Sequence, residues 1–403
     1  MEKYGIQFHI FPYICYMVVR QAYAEVLRLA SGFKSIAITG ARQSGKTTLV
    51  KELFPDKPYI SLENPDSRRF AIEDPRGFLN QWKNGAVLDE VQRTPELFSY
   101  LQELLDNSKS KGQFILTGSN NLLLQASISQ SLAGRVAYFQ LPAFSISELQ
   151  KSSLLPADDD DLMLKGFYPP VYDQDIPAVD WSRNYISTYV EKDVRQIKNI
   201  IDLHVFERFL SLLAGRCSQE LNMSALAIET GVDVKTVQSW ISLLESSYII
   251  FLLKPHHRNF NKMLVKRPKL YFCDTSIVCS LLRITEKNHI ESHPLRGAVF
   301  ENMVVAELRK SYLNNGSSLP LFYWRDKTGH EVDVIIEKSS ELLPVEIKSG
   351  RTVSGEYFRN LHYWIKQSKM AHGFVLYGGK ENQQRSNGIQ LMNWREYVLG
   401  DLF

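Results

Sequence analysis

Gly40-Ala41-Arg42-Gln43-Ser44-Gly45-Lys46-Thr47 is the stretch that decides the fold. It fits GxxxxGK[ST] at every position and stands between an apolar run, SIAIT (35–39), and a helix-forming run, TTLVKELF (47–54). A strand, a glycine-rich turn and a helix in that order aim backbone N–H groups and the positive end of a helix at one point, which is what a phosphate requires. Lys46 is then expected to reach the β- and γ-phosphates of ATP, with the hydroxyl of Thr47 on Mg2+. The expected binding site is the quoted loop together with Thr48.

Short apolar runs flank this loop on both sides: PYISLE (58–63), GAVLDE (85–90), GQFILTGS (112–119) and VAYFQLP (136–142). Runs of this length alternating with helical stretches predict a parallel sheet in an α/β domain. Asp89 ends a buried run, where a carboxylate is costly unless it meets a cation such as Mg2+. Glu90 beside it is the natural base to orient an attacking water. Ser119 is the expected polar sensor of the γ-phosphate, with Thr117 and Asn120 as alternatives. In SLAGRV (131–136) Arg135 precedes the last strand. An arginine there projects into a neighbouring subunit's nucleotide or closes a salt bridge within its own chain.

The phosphate loop, LDEVQ (88–92), LTGS (116–119) and LAGR (132–135) together resemble the AAA-type ATPases of bacteria and archaea in which an ATPase module is fused to a C-terminal region of formerly unknown function. YVEKDV (189–194), LYFCDTSI (270–277), GAVFENMVVAEL (297–308), FYWRDKTGHEVDVII (322–336) and VEIKSG (345–350) resemble that region. The likeness covers nearly the whole chain after about Met17. It implies an AAA+ fold, ATP with Mg2+ as ligands, and self-assembly into a homo-oligomer.

The rest of the chain divides by composition. Residues 1–16 read as an N-terminal extension, 17–150 as the AAA+ P-loop ATPase core and 151–202 as a helical connector region, with KSSLLPADDDD (151–161) a polar connector. Residues 203–262 read as a winged-helix-like domain and 263–403 as an α/β nuclease-like domain. In MSALAIET-GV-DVKTVQSWISLLES (223–246), Ala225, Leu226 and Ile228 are expected to face a core, Gly231 to turn, and Val234, Val237, Trp240 and Ile241 to anchor the second helix. Lys235, Thr236, Gln238 and Ser239 are left for a DNA groove. The run at 254–269 adds Lys254, His256, His257, Arg258, Lys262, Lys266, Arg267 and Lys269 as phosphate contacts, largely independent of sequence. Such modules also serve in protein–protein contacts.

In the last domain Glu301 lies on a helix, Asp333 on an apolar strand, and Glu346 and Lys348 two residues apart on the next strand, hence on one face. This E…D…ExK pattern is similar to the PD-(D/E)xK nuclease core. There Glu301, Asp333 and Glu346 would hold Mg2+, with Lys348 positioning the hydrolytic water. The other reading keeps that core as a scaffold.

Bulk properties narrow the alternatives. With 403 residues and a formal charge of +3, nucleic-acid binding must come from local patches. Cys15, Cys217, Cys273 and Cys279 are scattered, without metal-ligand spacing, as expected for reduced thiols of a cytoplasmic protein. The apolar stretch 7–19 is too short to cross a bilayer, so no membrane association is expected. Two functions follow. One is an ATP-hydrolysing AAA+ protein that remodels DNA and cuts it with Mg2+, favoured by the complete acidic set. The other is a nucleotide-dependent switch that binds DNA or a protein partner without nuclease activity. A metabolic kinase is disfavoured by the long C-terminal half.

Overall fold

The apolar runs around the phosphate loop all become strands: β1 (Ser35–Thr39), β2 (Tyr59–Ser61), β3 (Ala86–Asp89), β4 (Phe114–Gly118) and β5 (Val136–Gln140). They form one parallel sheet in the order β2-β3-β4-β1-β5. This is a computed structural model, and it describes residues 18–119, 132–189, 202–256, 266–317, 320–338 and 341–400. The period-two alternation of β1 sends Ile36 and Ile38 to one face, with Val26, Leu49 and Val50, and Ala37 to the other, with Leu88, Phe98 and Leu101. Both faces are covered, so all five residues of β1 are buried. The loops after β1, β3 and β4 leave from one edge of the sheet, where ligand crevices of open parallel sheets form.

The acidic run at 158–161 is not a solvated connector. Asp158 caps the helix Asp159–Lys165 by accepting from the N–H groups of Asp160 and Asp161. Asp160 takes a bidentate pair from Arg296, at 2.7 and 3.0 Å. Asp159 pairs with Arg395 at 2.6 Å, Asp158 with Arg351 at 2.9 Å, and Lys287 bridges Asp158 and Asp161. Four successive carboxylates thus clamp the chain to cations that follow it by more than a hundred residues.

The middle holds the helices Leu203–Ala214, Met223–Thr230 and Val234–Ser246, then an antiparallel hairpin of β6 (Ile250–Leu253) and β7 (Lys269–Phe272). A boundary at 262/263 would therefore cut a hairpin. Gly231 ends the second helix in the left-handed region, φ 76°, as its turn role requires. Leu226, Val237, Trp240 and Ile241 are buried, but Ile228 is 83% exposed and Val234 44%. Leu226, Ala227 and Thr230 occupy the inward stripe of the short helix, which turns Ile228 to solvent. Val234 directly follows the cap Asp233 and precedes the inward stripe of its own helix.

The C-terminal part runs helix Arg296–Asn314, then β8 (Leu321–Arg325), β9 (Glu331–Lys338) and β10 (Glu341–Lys348) as an antiparallel meander. Helix Arg359–Ser368 leads to β11 (Gly373–Tyr377), parallel to β10; β12 (Gln383–Gln384), β13 (Ile389–Asn393) and helix Trp394–Leu399 follow. The six strands are ordered β12-β13-β11-β10-β9-β8. The protein is thus α/β at both ends with a helical middle. Among the described residues no helix is long and apolar enough to cross a membrane. Residues 1–16, Asn120, His257, Arg258 and Lys262 lie outside the described residues.

Candidate functional site

At the end of β1 the backbone takes the conformations that the glycines permit. Gly40 has φ 153° and Gly45 φ 92°, and a side chain on Gly40 would strike the carbonyl of Leu141. Lys46, buried at the start of the helix Lys46–Leu53, curls over the loop and donates to the carbonyls of Gly40 (3.0 Å) and Ala41 (2.8 Å). Burial lowers its pKa, against the pull of Glu90 and Asp89. The Ser44 hydroxyl is buried and has no hydrogen-bond partner among the described residues. A cavity of about 530 Å³ opens beside the loop, lined by Arg42, Gln43, Lys46, Thr47, Thr48 and Glu90 among others. A cation and the N-terminal turn of a helix at the mouth of such a cavity, with an unpartnered hydroxyl in the loop behind them, fit a nucleotide's phosphates.

Thr47 and Asp89, 42 positions apart, meet: the Thr47 hydroxyl donates to Asp89 Oδ2 at 3.2 Å. Two more hydroxyls converge on that carboxylate, from Thr117 on Oδ1 and Tyr59 on Oδ2. Burial and the bond to Asp89 hold the Tyr59 phenol well above its ordinary range. Glu90 sits in the left-handed region, φ 57°, which swings it out of the strand. Its Oε2 accepts from Ser119 at 2.9 Å and from Gln92. Ser119 therefore meets Glu90, while Thr117 serves Asp89.

Two supports were not visible in the motif. Arg20 is buried behind the loop, donating to the carbonyl of Ser44 (2.8 Å) and that of Pro142 (2.6 Å), and pairing with Glu148 at 3.0 Å. The Trp181 indole donates to Gln43 at 2.8 Å and stacks on Tyr185, tying helix Ala178–Tyr189 to the loop. Arg135 lies at the opposite end of the sheet, beside Val136, which pairs with Ser35 at the start of β1. There it makes a bidentate pair with Asp106 and takes no part in its own chain's phosphate site.

The sequence of residues 32–150 matches the AAA domain family. That match supports an AAA-type ATPase domain over this stretch. Residues 157–288 and 296–397 match two domains of unknown function, DUF8612 and DUF4143. Uncharacterized proteins of Mycobacterium tuberculosis and Mycobacterium bovis are 29% identical over 377 residues, covering 92% of this chain and 82% of theirs. Among solved structures, a Walker-type ATPase of Pyrococcus abyssi is 13% identical, covering 65% of this chain and 94% of its own, with a TM-score of 0.45. AMPPCP-bound DnaA from Aquifex aeolicus is 17% identical over 56% of this chain and 86% of its own, with a TM-score of 0.29. The family match and the loop geometry together support nucleotide-dependent activity.

The second constellation also assembles, but around a different cation. Ile347 N–H donates to Asp333 at 2.8 Å, and Lys348 pairs with Glu346 at 2.7 Å and Asp333 at 3.9 Å. Into the same centre β7 sends Lys269, only 2% exposed. Its ammonium meets Glu301 at 3.0 Å, Asp333 at 3.6 Å and Glu331. Tyr271, two residues on along β7, donates to Glu301 at 2.7 Å. Burial opposes the charge on Lys269, yet the carboxylates hold its pKa well above the ordinary range. Lys269 is thus not a phosphate contact. Glu301, Asp333 and Glu346 do not fit a bound metal as expected from sequence, because the Lys269 ammonium already pairs with Glu301 and Asp333, and Lys348 with Glu346. Among the described residues no group of three or more His, Cys, Asp and Glu side chains is arranged to hold a metal ion.

Burial raises Glu301 to about 7 and Glu346 to about 8, from an ordinary value of 4.5; Lys269 and Lys348 respectively oppose the rise, and Asp333 adds to both. The folded chain keeps these protons where the unfolded chain has released them, so folding stability falls as pH rises from about 4.5 to about 8. Urea midpoints across this window should decline with pH in the wild type, and the decline should flatten in Glu301→Gln/Glu346→Gln.

Proposed function

We propose that this protein is an ATP-hydrolysing switch that grips DNA without cutting it. The meeting of Thr47, Asp89, Glu90 and Ser119 at one crevice carries the reading. Thr47 and Asp89 would hold Mg2+, which when bound neutralises charge on the β- and γ-phosphate oxygens. Lys46 exchanges its two loop carbonyls for phosphate oxygens. Glu90, held on one oxygen by Ser119 and Gln92, accepts the hydrogen bond that orients the attacking water. Arg135, remote from its own site, acts on the nucleotide of a neighbouring copy in a homo-oligomer, leaving Asp106 when the copies associate.

Support for DNA as the partner comes from the helical middle, where three helices and a hairpin follow winged-helix order. Lys254, Lys266 and Arg267 are exposed where the hairpin strands end and begin, placed for backbone phosphates. The helix Val234–Ser246 carries one lysine, which suits sequence-independent contact. The C-terminal order helix, three antiparallel strands, helix, parallel strand supports a nuclease-like fold. The lysine-filled centre supports gripping over cutting.

The test pairs ATP turnover, with and without DNA, with cleavage of branched and single-stranded DNA in Mg2+ or Mn2+. DNA should raise turnover several-fold in an effect that fades with salt, and no DNA should be cut. Glu90→Gln should bind ATP without turning it over, and mixing it with Arg135→Ala should restore part of the activity. Cleavage lost in Asp333→Ala would contradict the non-cutting reading; turnover indifferent to DNA would remove DNA as the partner.

A further inference from the structure

In the C-terminal centre, Glu301 comes from the helix Arg296–Asn314, Glu331 and Asp333 from β9, and Glu346 from β10. Convergent buried carboxylates need a positive charge in their midst. The chain brings that charge from outside the domain's own sheet, on β7 of the hairpin. The two-residue spacing of Lys269 and Tyr271 puts both side chains on the hairpin face that meets Glu301. Three carboxyl groups, those of Glu301, Glu331 and Asp333, surround the ammonium. Lys348 takes Oε1 of Glu346, and its buried Oε2 is left without a partner among the described residues. Acceptor capacity therefore remains in the centre beyond what the two lysines use.

We propose that Lys269 is the resident cation of this centre, and that hairpin docking and divalent-cation binding exclude each other because both use Glu301 and Asp333. A divalent ion of the Mg2+ or Mn2+ class then enters only where the ammonium is absent, and the wing-like hairpin keeps the centre closed. The inference rests on the reading of the domain as non-cutting, and the test separates the two.

Lys269→Met removes the charge and keeps an unbranched side chain. Without nucleotide and in EDTA, its Tm should fall by roughly 10 °C, because buried carboxylates lose their counter-charge. Millimolar Mn2+ should recover most of that fall, and adding Asp333→Asn should abolish the recovery. Wild-type Tm should not change with Mn2+ in an Asp333-dependent way. Absence of Mn2+ rescue in a folded Lys269→Met overturns the proposal while leaving the non-cutting reading intact. Should Lys269→Met not fold, paramagnetic resonance counts Mn2+ on wild type and on Asp333→Asn. Equal counts are expected, and an ion bound to wild type alone overturns the proposal. DNA cleavage by the wild type instead contradicts the non-cutting reading itself.

Discussion

Lys46→Ala is expected to lower ATP turnover by about 10²–10³-fold, the cost of removing one preorganised charge-stabilising group from a phosphoryl-transfer site. The lysine is buried at the first turn of its helix, and among the described residues it donates to the two loop carbonyls of Gly40 and Ala41. Alanine deletes a desolvated cation that bonds two carbonyls directly and acts on Asp89 and Glu90 only through the field, so no ion pair is broken. Folding should therefore survive while nucleotide affinity and turnover collapse together. A folded variant by circular dichroism with near wild-type turnover would mean that hydrolysis proceeds elsewhere.

The second large effect is on stability. Glu148→Ala is expected to cost about 3–5 kcal/mol, because it leaves the guanidinium of Arg20 buried without its counter-charge. The side chains of Arg20 and Glu148 are 5% and 0% exposed. Glu148 also accepts from the N–H of Gln21 at 2.7 Å and of Ser145 at 2.8 Å, so two backbone donors lose their acceptor as well. Since Arg20 holds the carbonyl of Ser44, disturbance should reach the phosphate loop, and ATP affinity should fall along with the urea midpoint. A midpoint shifted by less than the equivalent of about 1 kcal/mol would show that the pair is dispensable.

What could be read from sequence was what is local. The phosphate loop occupies consecutive positions whose spacing is the mechanism, and Asp89 and Glu90 announce themselves by ending an apolar run. The five strands were legible for the same reason, each being a short buried segment. Tyr59 and Arg20 were not, because nothing near them in the chain marks them. A phenol on an edge strand becomes a partner of Asp89 only once β2 lies beside β3. The acidic run at 158–161 reads as a polar connector because its cations lie far along the chain, as with Arg395 and Asp159, 236 positions apart. Lys269 did carry a signal: a lysine opening an otherwise apolar strand, KLYF, is costly unless it faces acids. Read as part of a basic run, it pointed to phosphates; read as part of its strand, it points to Glu301. In the helical middle, Ile228 misled because an eight-residue helix leaves its inward stripe ambiguous until its neighbours are in place.

The proposed function rests on ATP binding at the loop 40–47, where Thr47 and Asp89 would hold the metal. Calorimetric titration of the purified chain with ATP, in Mg2+ and in EDTA, measures this directly. One nucleotide per chain, bound more tightly with Mg2+ and lost in Lys46→Ala, is the predicted result. ATP binding that is absent from the wild type, or unchanged in Lys46→Ala, would contradict it.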